Sequence, residues 1–328
     1  MREKNHMRRA LPVLAAAIGA FLLVGAFVLR FYAYPKLAVA PVDPESTTRL
    51  VGHDATILDT ATLSEITTDL DTVVRTVGDL AATEKQAGDN VRVWVTTSST
   101  RSGDGVVRKR QVERVAFDAT TGEAVTCCGE YLETEKDEAT PVRHEGLVFK
   151  FPFETQEKAY SWWDGTLREA VPVQYAATEK VDGLTVYRFE SNIPRTQVTR
   201  REVPASLVGV DKKGNVNAEE MYANHRTFWV EPHTGVIIDR LEKQTSTIAY
   251  KGKDELTLTK VATKYTDDTV RHNVDDFGSL GRMLWLAYGP GPFTMGAAGL
   301  LLLALGTLFR ERGPARARVA ADPARVPA

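Results

Sequence analysis

Two long apolar runs, one near each end of the chain, limit what this sequence can become. From Ala10 to Leu29 it reads ALPVLAAAIGAFLLVGAFVL, without one ionisable side chain. At about 1.5 Å per residue such a helix is about 30 Å long, the thickness of a bilayer's hydrocarbon core. A second run, FTMGAAGLLLLALGTLF, extends from Phe293 to Phe309, and MLWLAYGPGP precedes it. That run is at the short end for a span, and Trp285 and Tyr288 are suited to the adjoining interface, where amphipathic rings are favoured. A chain anchored at both ends must fold everything between the anchors on one side of the membrane.

Basic residues set the expected side. Arg2, Lys4, Arg8 and Arg9 precede the first run, and Arg310, Arg312, Arg316 and Arg318 follow the second. The inner flanks carry only Arg30, Lys36, Arg271 and Arg282. The positive-inside bias therefore places both tails in the cytoplasm. The expected layout is a basic tail (1–9), a transmembrane helix (10–34), an extracytoplasmic domain (35–282), an amphipathic lead-in with a second transmembrane helix (283–309) and a second basic tail (310–328). Cleavage after Ala38-Val39-Ala40 is disfavoured: the apolar run exceeds a signal peptide's core, and Pro41 follows the site. Because the tails are basic, the intervening region is distinctly acidic although the formal net charge is only −2. An acidic body makes a poor nucleic-acid partner, and the tails need no partner beyond anionic lipid.

Between the anchors the signals are those of strands. After the proline-bearing linker YPKLAVAPVDPESTT, Val91, Val93 and Val95 alternate with Arg92, Trp94 and Thr96, and RSGDG turns the chain into VVRKRQVERVAF. Turns at Thr121-Gly122, Val181-Asp182-Gly183, EPHTG and Lys251-Gly252-Lys253 punctuate further strand-like runs. Residues 61–83 fit strands with a short helix. Val270, Val274, Phe277, Leu280 and Leu284 recur at helical spacing behind Asp267-Asp268, an expected cap, so an amphipathic helix precedes the second span. The expected fold is mainly β with terminal helices, an antiparallel curved sheet or sandwich.

Motifs for chemistry are absent. No H-E-x-x-H, G-x-S-x-G, phosphate loop or dinucleotide glycine pattern occurs, so no catalytic residue, metal or cofactor is expected. DKKGNVNAEE departs from a calcium loop at Lys213 and Val216. The six histidines are scattered, and His225 and His233 read as surface residues. Cys127 and Cys128 are the only cysteines; they are read either as unbridged or intermolecularly paired thiols or as a vicinal disulfide.

FPFETQEKAYSWWDGT, Phe151 to Thr166, concentrates aromatic residues. Phe151 and Phe153 share one expected strand face, Tyr160 and Trp162 another, and Trp163-Asp164-Gly165 reads as a turn entry. Tyr160, Trp162 and Trp163 are thus candidate ligand-stacking residues, against the alternative that they form core.

EGLVFKFPFETQEKAYSWWDGTLREAVPVQYAATEKVDGLTVYRFE (Glu145 to Glu190), with WVEPHTGVIID (Trp229 to Asp239) and the two terminal spans, resembles the porin PorA-like family of envelope proteins from high-GC bacteria. The resemblance implies an envelope protein with an external β-domain and, by the family's name, pore formation. Charges of both strand parities, as in VVRKRQVERV, are unlike a lipid-facing barrel. The expected role is non-catalytic binding or handling of an envelope lipid or cell-wall polymer, with membrane lipid as a partner and homo-oligomerisation compatible with it; channel formation is the alternative.

Overall fold

The computed structural model describes residues 2–86, 90–134 and 138–311. Helix α1 (Arg2–Val28) continues through a π-helical turn (Leu29–Ala33) into α2 (Tyr34–Leu37). The final helix, α5 (Pro290–Glu311), starts on a proline, whose missing N–H has no intrahelical partner to lose at that position. Leu11–Leu37 and Asp267–Phe309 are long and apolar enough to cross a membrane, and little of either is buried. Helices α1 and α5 run antiparallel, with glycine at their contact. A Cβ on Gly19 would lie 2.7 Å from the Gly299 carbonyl oxygen, and one on Gly306 would lie 2.7 Å from the Pro12 carbonyl oxygen. Only glycine permits so close an approach of backbones, the usual packing device where lipid replaces water. The Arg30 guanidinium sits 4.0 Å from the ring centre of Tyr288, which also contacts Tyr34. The tail from residue 312 onward lies outside the described residues.

These terminal helices make one unit; Ala38–Leu284 makes the other. The second unit contains β1 (Glu45–Asp59), β2 (Ser64–Gly78), α3 (Leu80–Gln86), β3 (Val91–Ser102), β4 (Val107–Asp118), β5 (Tyr131–Thr134), β6 (Thr140–Pro141), β7 (Tyr160–Asp164), β8 (Glu169–Val181), β9 (Leu184–Pro204), β10 (Asn215–Val230), β11 (Ile237–Tyr250) and β12 (Lys253–Tyr265), and most of α4 (Asp267–Tyr288). The tight hairpins carry the expected residues: Asp182-Gly183 and Lys251-Gly252 all take positive φ, as two-residue loops between twisted strands require.

The strands form one sheet in the order β6-β5-β4-β3-β2-β1-β12-β11-β10-β9-β8-β7, antiparallel throughout. Two meanders are joined where the first strand pairs with the last, with Leu50 opposite Tyr265. The sheet must be rolled. Nine strand spacings separate β4 from β7, about 43 Å in a flat sheet, yet the Trp163 indole N–H on β7 donates to Glu113 Oε1 on β4 across 3.0 Å. The ladder itself stays open, and residues 146–148 fill the seam. Leu147 N–H donates to the Ser161 carbonyl (2.7 Å) and its carbonyl accepts from Trp163 N–H (3.0 Å). On the other flank, Ala124 N–H donates to the Gly146 carbonyl (2.8 Å) and Val148 N–H to that of Gly122 (3.0 Å). Gly146 has φ +70, and a Cβ there would press on the Ser161 carbonyl.

Phe151, Phe189 and Phe228 are fully buried with Leu147, Trp162, Val173 and Val230, each Phe worth about 2–3 kcal/mol of burial. Helix α4 lays Val270, Val274 and Phe277 against Val186 and Ile238, as its spacing predicts. Two local expectations need correction. Phe151 and Phe153 do not share a strand: residues 151–159 are irregular, with a turn at Phe153-Glu154, because Pro152 cannot donate to a ladder and Glu154 takes φ +52. The α4 cap is Thr266, whose Oγ1 accepts from Thr269 N–H at 3.3 Å; Asp267 and Asp268 occupy the first turn, where the helix dipole favours them.

Candidate functional site

The two adjacent tryptophans belong to different cores. Alternation along β7 sends Trp162 into the Phe151–Phe189–Phe228 cluster, where its ring lies 4.6 Å from that of Phe228. Trp163 faces the other way and packs with Trp94, Val115 and Phe117. They are 6% and 7% exposed, which leaves neither ring a face for a ligand. Tyr160 differs. It is half-buried at the margin of the first core, and its hydroxyl accepts from Gln156 N–H at 2.8 Å. Cys127 and Cys128 are bonded to each other and pack, partly buried, on Ala82, Val93 and Ala116.

Beside Tyr160 opens a cleft of about 430 Å³, lined by Glu154, Thr155, Gln156, Glu157, Tyr187 and His233. Three distant segments meet here, and backbone bonds fix them. Thr155 N–H donates to the Pro232 carbonyl (2.7 Å), and Phe151 N–H to that of Gly235 (2.8 Å). The β10–β11 turn is braced from beneath by buried Glu231, whose carboxylate accepts from His233 N–H, Thr234 N–H and Thr234 Oγ1. His233 Nδ1 lies 3.1 Å from Glu154 Oε2. Burial would lower the His233 pKa, but the Glu154 hydrogen bond together with the charges of Glu154 and Glu231 outweighs it and holds the pKa above the usual histidine value. Tyr187 forms a T-shaped contact with Tyr175, at 5.6 Å, and burial with the neighbouring Glu157 carboxylate raises its pKa. Its phenol remains a donor.

Two further polar groupings are sealed. His144, its side chain 0% exposed, is held between Glu130 Oε2 (2.6 Å from Nδ1) and Glu113 Oε1 (3.1 Å from Nε2). Burial opposes its charge, but hydrogen bonds to both carboxylates raise the pKa overall. Both ring nitrogens face acceptors, which only the imidazolium satisfies. Elsewhere Arg226 Nε donates to Glu242 Oε1 (2.7 Å) and Nη2 to Asp164 Oδ2 (3.0 Å), while Tyr222 and Asn224 complete the network. Burial opposes the Arg226 charge, yet Glu242 and Asp164 raise its pKa beyond the usual value. Lys150 is different again: its buried Nζ has no hydrogen-bond partner among the described residues and lies 3.7 Å from the Phe153 ring centre. Burial lowers its pKa to about 7, against an opposing pull from Asp118.

No group of three or more His, Cys, Asp or Glu side chains fit to hold a metal ion occurs among the described residues. Of the residues singled out from the sequence, Tyr160 lies beside the cleft and Trp162 and Trp163 do not line it; Tyr187, Glu154, Glu157 and His233 were not foreseen as a group. The available signal was the charge running up to Tyr160 in ETQEKAY.

The family model described as Porin PorA matches residues 11–308. A Corynebacterium amycolatum protein named Porin PorA is 22% identical over 384 residues, covering 93% of this chain and 100% of that protein. A Corynebacterium resistens protein of the same name is 23% identical over 149 residues, 31% of this chain and 36% of that protein. With most of both terminal helices and the whole rolled sheet inside the matched residues, this chain belongs to the Porin PorA family.

Proposed function

We propose that this protein is a two-helix membrane-anchored envelope protein whose β-unit stands outside the cytoplasm and binds an envelope lipid or cell-wall component without chemically changing it. Family membership and the two apolar terminal helices support membrane association. Their antiparallel packing fits a chain that crosses twice and returns both basic tails to the cytoplasm. The observation that carries the binding role is the cleft: tyrosine, carboxylate and amide side chains converge on a concavity braced by two hydrogen-bonded turns.

The test is to purify the intact chain from its own membrane in detergent and identify what co-purifies by mass spectrometry. A lipid or glycan species present with the parent protein and depleted in a Tyr187→Ala variant supports the reading. An identical profile for both contradicts it. Topology is tested with protease on intact protoplasts, which is expected to cleave the β-unit and spare the tails.

Pore formation is the second reading, favoured by the name of both relatives. It predicts reproducible unitary conductance in planar bilayers. The strands offer little for a lipid-facing wall: β4 and β9 carry Lys109, Arg110, Arg200 and Arg201 among exposed or half-buried positions.

A further inference from the structure

Resting on that binding role, we infer that the ligand of the cleft is a sugar: a hydroxyl-rich ring of an envelope glycan or glycolipid headgroup, and not an acyl chain. Three observations carry this. First, the lining consists mainly of hydrogen-bonding groups. Glu154 and Glu157 present carboxylate acceptors, Gln156 an amide with both donor and acceptor, and Tyr187 a phenol. A ring of vicinal hydroxyls, each donor and acceptor, matches such a set, whereas an acyl chain entering it would strip these groups of water and return no hydrogen bond.

Second, the apolar space next to the cleft is already full. Phe151 and Phe189 are fully buried, with ring centres 4.6 Å apart, and Tyr160 closes over both. No route for a hydrocarbon tail leads inward past them. Third, the exposed aromatic surface is phenolic. Half-buried Tyr187, which lines the cleft and is braced edge-to-face by Tyr175, supplies an apolar ring face for the C–H side of a sugar ring together with a polar phenol edge.

The positioning is rigid and charge-balanced. Glu154 is already engaged by His233 Nδ1 at 3.1 Å, so the cleft does not offer two unengaged carboxylates to a small cation. Its volume, about 430 Å³, lies in the range of small-ligand sites and exceeds the needs of one water cluster.

The experiment uses the full chain in a sugar-free polyoxyethylene detergent, applied to an array of immobilised oligosaccharides spanning hexoses, pentoses and their acidic derivatives. Parallel arms present vesicles of anionic phospholipid without sugar, and tetramethylammonium chloride as competitor. The expected result is retention on a subset of glycans and its reduction about tenfold by Glu157→Gln and by Tyr187→Ala. The retained glycan should elute intact, and tetramethylammonium should not displace it. Glu157 is exposed, so its variant is expected to fold; unchanged far-ultraviolet circular dichroism and melting verify this. Binding to phospholipid vesicles, reduced by the same variants, with no glycan retained would overturn the sugar inference and leave the envelope-binding role standing. Displacement by tetramethylammonium would replace the sugar with a cationic headgroup. Retention unaffected by either substitution would remove the site from this cleft. No binding in any arm would defeat both the inference and the reading on which it rests.

Discussion

His144 and His233 make the same chemical choice in opposite surroundings. Each sets an imidazole nitrogen against glutamate, at 2.6 and 3.1 Å. His144 is shut inside the seam of the rolled sheet, between two carboxylates and against Trp163, whereas His233 stands at the mouth of a cleft with its side chain 27% exposed. What a histidine–carboxylate pair does depends on the water around it. In the seam, charge withdrawn from water has to be matched on every side, and the pair becomes a fastener for strands that no ladder joins. In the cleft, water softens the interaction, and the pair shapes a surface that stays open to solvent.

The sharpest way to stress this contrast is to empty a sealed site. Arg226→Ala strips buried Asp164 of its cation and leaves Glu242 with Arg240 alone, and the expected loss is about 3–5 kcal/mol in chemical denaturation of the full chain. His144→Phe keeps a ring and removes both imidazole hydrogen bonds, leaving Glu113 with the Trp163 indole and Glu130 with the residue 144 backbone N–H; about 3 kcal/mol is expected. A loss below 1 kcal/mol in either case would show that water already reaches the sealed groups.

The pH dependence of the seam has a definite sign. The folded-state pKa of His144 lies above the ordinary histidine value of 6.5. Its stabilisation is therefore complete below about pH 6.5 and lost as pH rises through the higher folded value. Melting temperature measured across that interval should fall for the parent chain and less steeply for His144→Phe. Equal slopes would remove the imidazolium from the seam.

Smaller effects follow from groups that are buried or exposed without such matching. Lys150→Met replaces an unpartnered buried amine by an apolar chain of similar length, and a gain of about 1–2 kcal/mol is expected. His233→Ala should cost the fold about 0.5 kcal/mol, close to the worth of an open ion pair, while lowering ligand retention severalfold. If His233→Ala instead unfolds the chain, the contrast between seam and cleft fails.

Much of the architecture could be read from one sequence. Alternation in Asn90–Thr97, the Asp182-Gly183 and Lys251-Gly252 turns and the 3.6-residue recurrence from Val270 to Phe277 are local signals, and local signals survive into the fold. The pairing of β1 with β12 left no such trace, since a strand's periodicity does not name its partner. The polar interior was hidden for a related reason. Arg226 and Glu242 look like solvent-facing charges by alternation, and only the roll that brings β7 to β10 and β4 turns them inward. The adjacent tryptophans could be read as core or as a stacking platform; both are core, and alternation across β7 assigns them to separate clusters. The cleft draws on residues 154–157, 187 and 233, a combination no window of neighbouring residues contains.

The junction of β1 and β12 also bears on how the protein is made. A ribosome delivers Glu45–Asp59 long before Lys253–Tyr265 exists, so through most of synthesis the outer rim of β1 shows bare donors and acceptors to any passing extended peptide. Completion waits for nearly the last residues before the second apolar helix, and the delay favours mispairing over a slow, long-range closure.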